Sequence, residues 1–375
     1  MDLSVYKKVF SFNKKQIPVN CLSSVEEFNA AIDELNNQGF KFGIKFTQYH
    51  NISSRGHVPF AYDIVEYSGS MAGWQIWIYS EEGSYILQFN PTLNKDGMIV
   101  GHDVNKKGGT YALNTFTREL KKKCKINLVD YALIGDDAIK AKESIPKALI
   151  GPVNDFYVAR TLEHCYHLDI NSAYPAGLKE AYPEFGPVID DFYNKKKNSA
   201  TKEEREDYKL ILNSLIGKMQ SETIHYQYAH MSKAAIEYCR NKLLQMKNYL
   251  AQQCCSVVMF NTDGLWFIPM NNQLPKIPNL GDEMGQWKLD HKDCTLCMKN
   301  ANYEYIEDGK YTPVVRGKTK LDQIKPRSEW QWGDIFRNEV DKTLKIRLDL
   351  STHKLIWIEE ETMQGDENYV KETIQ

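Results

Sequence analysis

The 375-residue chain predicts an α+β fold, and three observations carry that prediction. Two amphipathic helical patterns, "TKEEREDYKLILNSLIGKM" and "SKAAIEYCRNKLLQMKNYLAQQ", stand together in the second half. Immediately after them, "CSVVMFNTDGLWFIPM" reads as strand, tight turn, strand, because Asp-Gly between apolar runs is the strongest short hairpin signal. A second hairpin follows near the end, from "LKIRLDL" and "HKLIWIEEE". Hairpins build antiparallel sheet, so helices gathered beside such a sheet are the expected architecture.

The elements can be justified in order. Residues 1–150 mix strand-like runs such as "WQIWIYS" with a helix, "SSVEEFNAAIDELNNQG", and read as an α/β N-terminal domain. Ser24 caps that helix and Gly39 ends it, while loops near Gly56, Gly69 and Gly97–Gly108 punctuate the rest. "ALIGPVND", with Gly151 and Pro152, is the expected domain boundary. Beyond it "YHLD" is a strand and "NSAYPAGLKEAY" turns into a short helix. Thr201 and Glu204 form a capping box for the first long helix, with acids in its first turn.

Bulk composition narrows the function classes. Net charge is −2, so no global field draws the chain to nucleic acid, and local basic patches must serve. Lys121–Lys123 with Lys125, and Lys195–Lys197, are the candidates; each alone reads as a solvated face. No signal-peptide pattern and no run of about 18 apolar residues is present, which argues against a membrane. Eight scattered cysteines without a secretory framework suit a reduced, cytoplasmic protein. Cys294-Thr-Leu-Cys297 with His291 resembles half a zinc site, but residues three apart on a strand face opposite ways, so core cysteines are expected.

Three elements combine into chemistry. A strand ends in Asp169, a helix carries Lys209, Asn213, Ile216 and Gly217 at the spacing of one face, and a hairpin holds Asp263 at its tip. Two carboxylates from separate strands can bind two divalent cations roughly 3.5–4 Å apart, the arrangement that phosphoryl transfer uses. A lysine on a neighbouring helix would neutralise phosphates, and the turn after Asp169 would offer backbone N–H groups. Hard oxygen ligands point to magnesium or manganese.

These same segments resemble the motifs of family B DNA polymerases. "DINSAYPA" is similar to that family's first catalytic motif, closest to its protein-primed phage branch. "KLILNSLIG" resembles the fingers-helix motif, and "FNTDG" resembles the Asp-Thr-Asp hairpin. "MGQWKLD" followed by "VVRGKTK" is similar to the segment after that hairpin, and the resemblance covers residues 155–325. It implies a right-hand polymerase with antiparallel palm sheet, short helical fingers and a small β-rich thumb. Palm would be 151–187 and 218–300, fingers 188–217, and end of palm and thumb 301–375. Asp169 and Asp263 would be catalytic metal ligands, with the Ile170 carbonyl as a third. Asn171, Ser172 and Ala173 would turn their backbone toward the triphosphate, and Tyr174 would lie under the sugar. Lys209 would contact phosphates, Asn213 and Ile216 would pack the nascent base pair, and Asn261 and Thr262 would support the palm turn. Two Mg2+ or Mn2+ ions, a DNA primer-template, deoxynucleoside triphosphates and phage replication proteins are the cofactors and partners implied.

The chain also departs from the family. Asn261 stands where the first Asp of Asp-Thr-Asp belongs, which lowers the pull on a cation and would reduce activity or shift it toward manganese. Ile216 replaces a Tyr, implying relaxed fidelity, and Ala173 replaces a Leu. The intervals Asp169 to Lys209 and Gly217 to Asp263 leave no room for the branch's two insertions. Asp63 and Glu66 in "AYDIVEYS" are one residue too far apart to make the exonuclease Asp-x-Glu, so residues 1–150 read as a nuclease remnant or an unrelated module. A polymerase without proofreading is the leading expectation; a catalytically silent nucleic-acid-binding relative and a primase-like polymerase are the alternatives.

Overall fold

The computed structural model describes residues 8–12, 15–22, 24–47, 62–63, 73–79, 84–89, 92–93, 99–100, 109–153, 161–271, 273–340 and 342–361. Two compact units emerge. Among these residues the first draws on Met1–Gly108, Gly317–Glu329 and Lys342–Glu361, and the second on Gly109–Arg316 and Trp330–Asp341.

The first unit begins with strands β1 (Lys8–Phe12) and β2 (Lys15–Leu22), helix α1 (Val25–Asn37), and strands β3 (Lys41–Thr47), β4 (Tyr62–Asp63), β5 (Gly73–Tyr79) and β6 (Ser84–Phe89). They form a six-stranded sheet in the order β3-β5-β6-β2-β1-β4, with β2 and β6 parallel; β7 (Thr92–Leu93) and β8 (Ile99–Val100) pair separately. The Ser24 side chain accepts the Glu27 N–H at 3.1 Å, and Gly39 leaves the helix with φ +72°, as its capping pattern requires. The helix buries Phe28, Ile32 and Leu35 against Ile76, Ile78, Leu87 and Phe89. Asp63 lies in the short β4, whereas Glu66 and the glycines at 56, 69, 97 and 108 lie outside the described residues.

The second unit runs through α2 (Gly109–Glu119), α3 (Asp136–Glu143), β9 (Ile150–Pro152), β10 (Thr161–Ile170), α4 (Ala173–Ala181), α5 (Gly186–Lys197), α6 (Lys202–Met219) and α7 (Ala229–Gln252). It continues with β11 (Cys255–Asn261), β12 (Gly264–Pro269), β13 (Trp287–Lys299), β14 (Asn302–Glu307) and β15 (Lys310–Val314). The strands make one antiparallel sheet in the order β15-β14-β13-β10-β12-β11-β9. On one face Cys239, Leu243, Met246 and Leu250 of α7 pack with Leu168, Ile170, Leu265 and Phe267. Cys165, Val258, Trp266, Cys294 and Met298 form a second apolar cluster, and Cys297 is buried as well. Among the described residues no group of three His, Cys, Asp or Glu could hold a metal.

The boundary expected at Gly151–Pro152 therefore differs from the division by packing. Residues 109–150 go with the second unit because Ala112, Leu113, Phe116 and Leu120 share a helical core with Ile211, Leu215 and Met219 of α6. Gly151 is instead a β9 residue paired with Phe260, at φ +99°.

Near the end of the chain α8 (Leu321–Ile324) lies in the first unit, α9 (Asp334–Arg337) in the second, and the expected hairpin forms from β16 (Lys342–Asp349) and β17 (Lys354–Glu361). The hairpin completes the first unit. Asn29 of α1 donates to the Leu355 carbonyl at 2.9 Å and accepts its N–H at 2.8 Å, and Leu355 is 1% exposed in the α1 core. Among the described residues no helix is long and apolar enough to cross a membrane.

Candidate active site

Strand alternation decides where Asp169 points. Leu168 and Ile170 face the apolar layer under α7, so the side chain between them faces the other way. Asp169 is in register with Gly264 on β12, and the Ile170 N–H donates to the Asp263 carbonyl at 3.0 Å. The two aspartates thus end neighbouring antiparallel strands. The β11–β12 loop is one residue earlier than the Asp-Gly signal suggests: Asn261 pairs with Gly264, and Thr262 and Asp263 are the central residues. Gly264 belongs to the strand. A Cβ there would meet His167 Nε2 at 2.7 Å and the Leu168 carbonyl at 2.8 Å, so close strand approach requires glycine.

Both carboxylates are partly buried, and this desolvation raises the proton affinity of each. The Asp263 and Asp290 charges raise Asp169 further, with Lys288 acting against them. For Asp263, its own backbone N–H and the Arg316 guanidinium work against burial. Two desolvated carboxylates that repel one another create a deficit of positive charge, which hard divalent cations satisfy through oxygen. The donor set therefore fits magnesium or manganese, with Asp169 and Asp263 as the residues that would hold it.

The segment after Asp169 is divided in its uses. Asn171 is tied to the approach of β13: its N–H donates to the Gln286 carbonyl (2.9 Å), its carbonyl accepts from Gly285 (2.7 Å), and Nδ2 donates to Gly281 (2.8 Å). Its backbone N–H is thus engaged, contrary to the expectation that it faces a triphosphate. Ser172 adopts a left-handed conformation (φ 48°) at the N-cap position of α4, where its side chain makes no capping hydrogen bond. The N–H groups of Ala173 and Tyr174 fall in that helix's first turn, where intrahelical partners are lacking. Ala173 is buried, and Tyr174 packs half-buried against both the helical and the sheet cores. Burial raises the Tyr174 phenol, and the Cys239 and Asp263 charges add to it.

Helix α6 separates its expected residues. Lys209 and Asn213 are exposed, with Lys209 reaching Glu206 at 3.8 Å, but Ile216 is 4% exposed inside the helical core. The reason is position along the helix. The first turns of α6 are exposed or half-exposed, whereas Ile211, Leu212, Leu215, Ile216 and Met219 are enclosed by α2 and its neighbours. A side chain on the right azimuth is covered at that level, so Ile216 is a core residue.

Two basic residues were not assigned to this site by sequence reasoning, Lys196 having been named only within the Lys195–Lys197 patch. Lys196 Nζ donates to Ser172 Oγ at 3.0 Å, and its proton affinity is lowered by burial and by the Lys209 and Arg205 charges, with Asp169 acting oppositely. The signal was present in the phase of α5: Lys196 continues the buried stripe of Ile189 and Phe192, whereas Lys195 and Lys197 flank it. Those flanking lysines are engaged elsewhere. Lys123 and Lys195 both pair with Asp191, at 2.7 and 2.8 Å, and Lys197 pairs with Glu283 at 2.7 Å. The second residue is Arg316, whose Nη2 donates to Asn261 Oδ1 (3.1 Å) and Thr262 Oγ1 (3.0 Å). Asn261 also donates to Tyr303 Oη at 2.9 Å.

No protein-family model and no curated protein matches the chain. Solved structures do. The chain is similar to phi29 DNA polymerase complexed with primer-template DNA, at TM-score 0.53 and 12% identity, over 90% of this chain and 89% of that one. It is similar to the same enzyme complexed with single-stranded DNA, at TM-score 0.51 and 11% identity, over 79% and 84%. With primer-template DNA and incoming nucleotide substrates, the values are 0.50 and 10%, over 79% and 84%. At these identities the likeness is one of fold: the chain shares the fold of phi29 DNA polymerase.

Proposed function

We propose that the chain is a template-directed DNA polymerase that adds deoxynucleotides to a primer 3′-OH and lacks proofreading. The observation that carries this reading is the pair of partly buried carboxylates, Asp169 and Asp263, at the ends of neighbouring strands of a polymerase-like sheet. When bound, two magnesium or manganese ions supply charge that activates the attacking oxygen and stabilises the leaving one. Asp169 and Asp263 would hold those ions, with the Ile170 carbonyl as a third ligand. The first turn of α4 and the Lys196 ammonium orient the triphosphate, and Lys209 approaches it from the exposed face of α6. Tyr174 excludes a ribose 2′-OH. The 3′-oxygen forms a bond to the α-phosphorus, the bond from that phosphorus to the bridging oxygen breaks, and pyrophosphate departs. The proton of the 3′-OH passes to solvent. In this reading residues 151–187 and 218–300 are palm and 188–217 fingers, and a primer-template, deoxynucleoside triphosphates and phage replication proteins are the partners.

A second reading, a nucleic-acid-binding protein without catalysis, draws on Asn261. Its amide is committed to Arg316 and Tyr303, and a cation-binding carboxylate is absent there. Extension of a labelled primer with magnesium, then manganese, separates the two. Extension abolished by Asp169→Asn supports the polymerase. Binding of the primer-template with no extension in either metal establishes the second reading instead.

A further inference from the structure

We propose that Arg316 is the positioning residue of the Thr262–Asp263 turn, holding Thr262 in a left-handed conformation and so fixing where Asp263 presents its carboxylate. The inference rests on the polymerase reading of the two aspartates and adds a residue to it. Thr262 has φ +70°, a conformation that suits glycine and that β-branched residues rarely adopt. Such a residue persists only when its surroundings over-determine it. Here they do. The Thr262 N–H donates to the Leu149 carbonyl (3.0 Å), its carbonyl accepts from Cys239 Sγ (3.4 Å), and its hydroxyl accepts from Arg316.

Arg316 is itself anchored. Its backbone N–H donates to Asn302 Oδ1 at 3.0 Å, and Asn302, fully buried, donates to the Val340 carbonyl at 2.9 Å. The same guanidinium nitrogen that reaches Thr262 also reaches Asn261, so both residues before Asp263 are fixed by one group. Neutral Asn261 suits this role because its amide can accept from Arg316 and donate to Tyr303 at once. A positive charge beside a cation site would by itself repel the cation. A positioning role and a purely electrostatic role therefore predict opposite signs, and this makes the proposal testable.

The test measures Mn2+ affinity of the purified full chain, without DNA or nucleotide, by titration calorimetry and by the electron paramagnetic resonance of free Mn2+. Wild type, Arg316→Gln, Thr262→Gly and the double variant form a cycle. Arg316→Gln is expected to weaken Mn2+ binding about tenfold, the loss equivalent to about 1.4 kcal/mol. In the Thr262→Gly background the same change is expected to cost less than threefold, since glycine adopts positive φ unaided. If Arg316→Gln binds Mn2+ more tightly or equally, or costs as much with glycine at 262, the proposal is overturned. Should Arg316→Gln not fold, Arg316→Lys takes its place in the cycle; affinity equal to wild type would then count against positioning. Asp263→Asn marks the underlying reading: Mn2+ binding that is absent in wild type, or unchanged by that substitution, overturns the metal site and the proposal with it.

Discussion

Replacing Asp169 by Asn should stabilise the metal-free protein while disabling it. Burial first, then the Asp263 and Asp290 charges, raises the Asp169 carboxyl from an ordinary 3.8 to about 8. A folded-state value above the unfolded one means that stability is greatest at low pH and is lost as pH rises from about 4 toward 8. The loss grows steadily across that window as the folded-state carboxyl gives up its proton. An amide removes the charge but keeps a partly buried polar group, so about 2 kcal/mol should be recovered. For a unit of this size that corresponds to a rise of roughly 4–8 °C in the unfolding midpoint. Thermal unfolding followed by circular dichroism, at pH 8 and pH 4.5 without divalent cation, reads it directly. The gain should appear at pH 8 and vanish at pH 4.5, and added Mn2+ should raise the midpoint of wild type only. An unchanged or lower midpoint for Asp169→Asn at pH 8 would refute the repelling, partly buried pair.

Three further outcomes are expected. Tyr174→Ala should raise the ratio of ribonucleotide to deoxynucleotide incorporation at least tenfold in primer extension; a flat ratio in an active variant would retire the sugar-gate role. Lys196→Ala should raise the KM for the incoming nucleotide about tenfold, because a charge-assisted contact is worth roughly 1.5 kcal/mol; an unchanged KM would remove Lys196 from the nucleotide site. Gly177→Ala should destabilise the second unit by about 2 kcal/mol in denaturant unfolding, because its Cβ would meet Tyr238 Cβ at 2.8 Å and the Ala235 carbonyl at 2.9 Å between α4 and α7.

Periodicity made the elements legible. Ser24 and Thr201 cap the helices they announced, at 3.1 and 3.2 Å from the Glu27 and Glu204 N–H groups, because capping is a local matter of four residues. The convergence of Asp169 and Asp263 was legible because each ends an apolar run. Other features depend on distant neighbours. Ile216 shares the azimuth of Lys209, yet α2 covers only its end of the helix, and nothing within α6 reveals that. Asn171 sits close in sequence to Asp169, but Gln286 and Gly285, far along the chain, take its backbone groups. The hairpin loop shifted by one residue because Gly264 is required for the approach of His167 rather than for the turn. Arg316 lay inside a quoted segment without any local mark of its partners.

The first unit is assembled from three stretches of chain, and this orders its biosynthesis. The apolar face of α1 is closed by Leu355, and Asn29 is satisfied by the Leu355 backbone. When ribosomes have released residue 108, the core around α1 still lacks the separate β16–β17 hairpin that packs on it. At roughly 5–20 residues per second, about 10–50 s pass before that hairpin emerges. Meanwhile every strand of the second unit's sheet, closed by Val314, has already been delivered. The unit encoded first is therefore completed last. Until then the part of the α1 face that Leu355 closes stays open, so a nascent chain stalled or cut between 108 and 342 would be a substrate for chaperones and proteases.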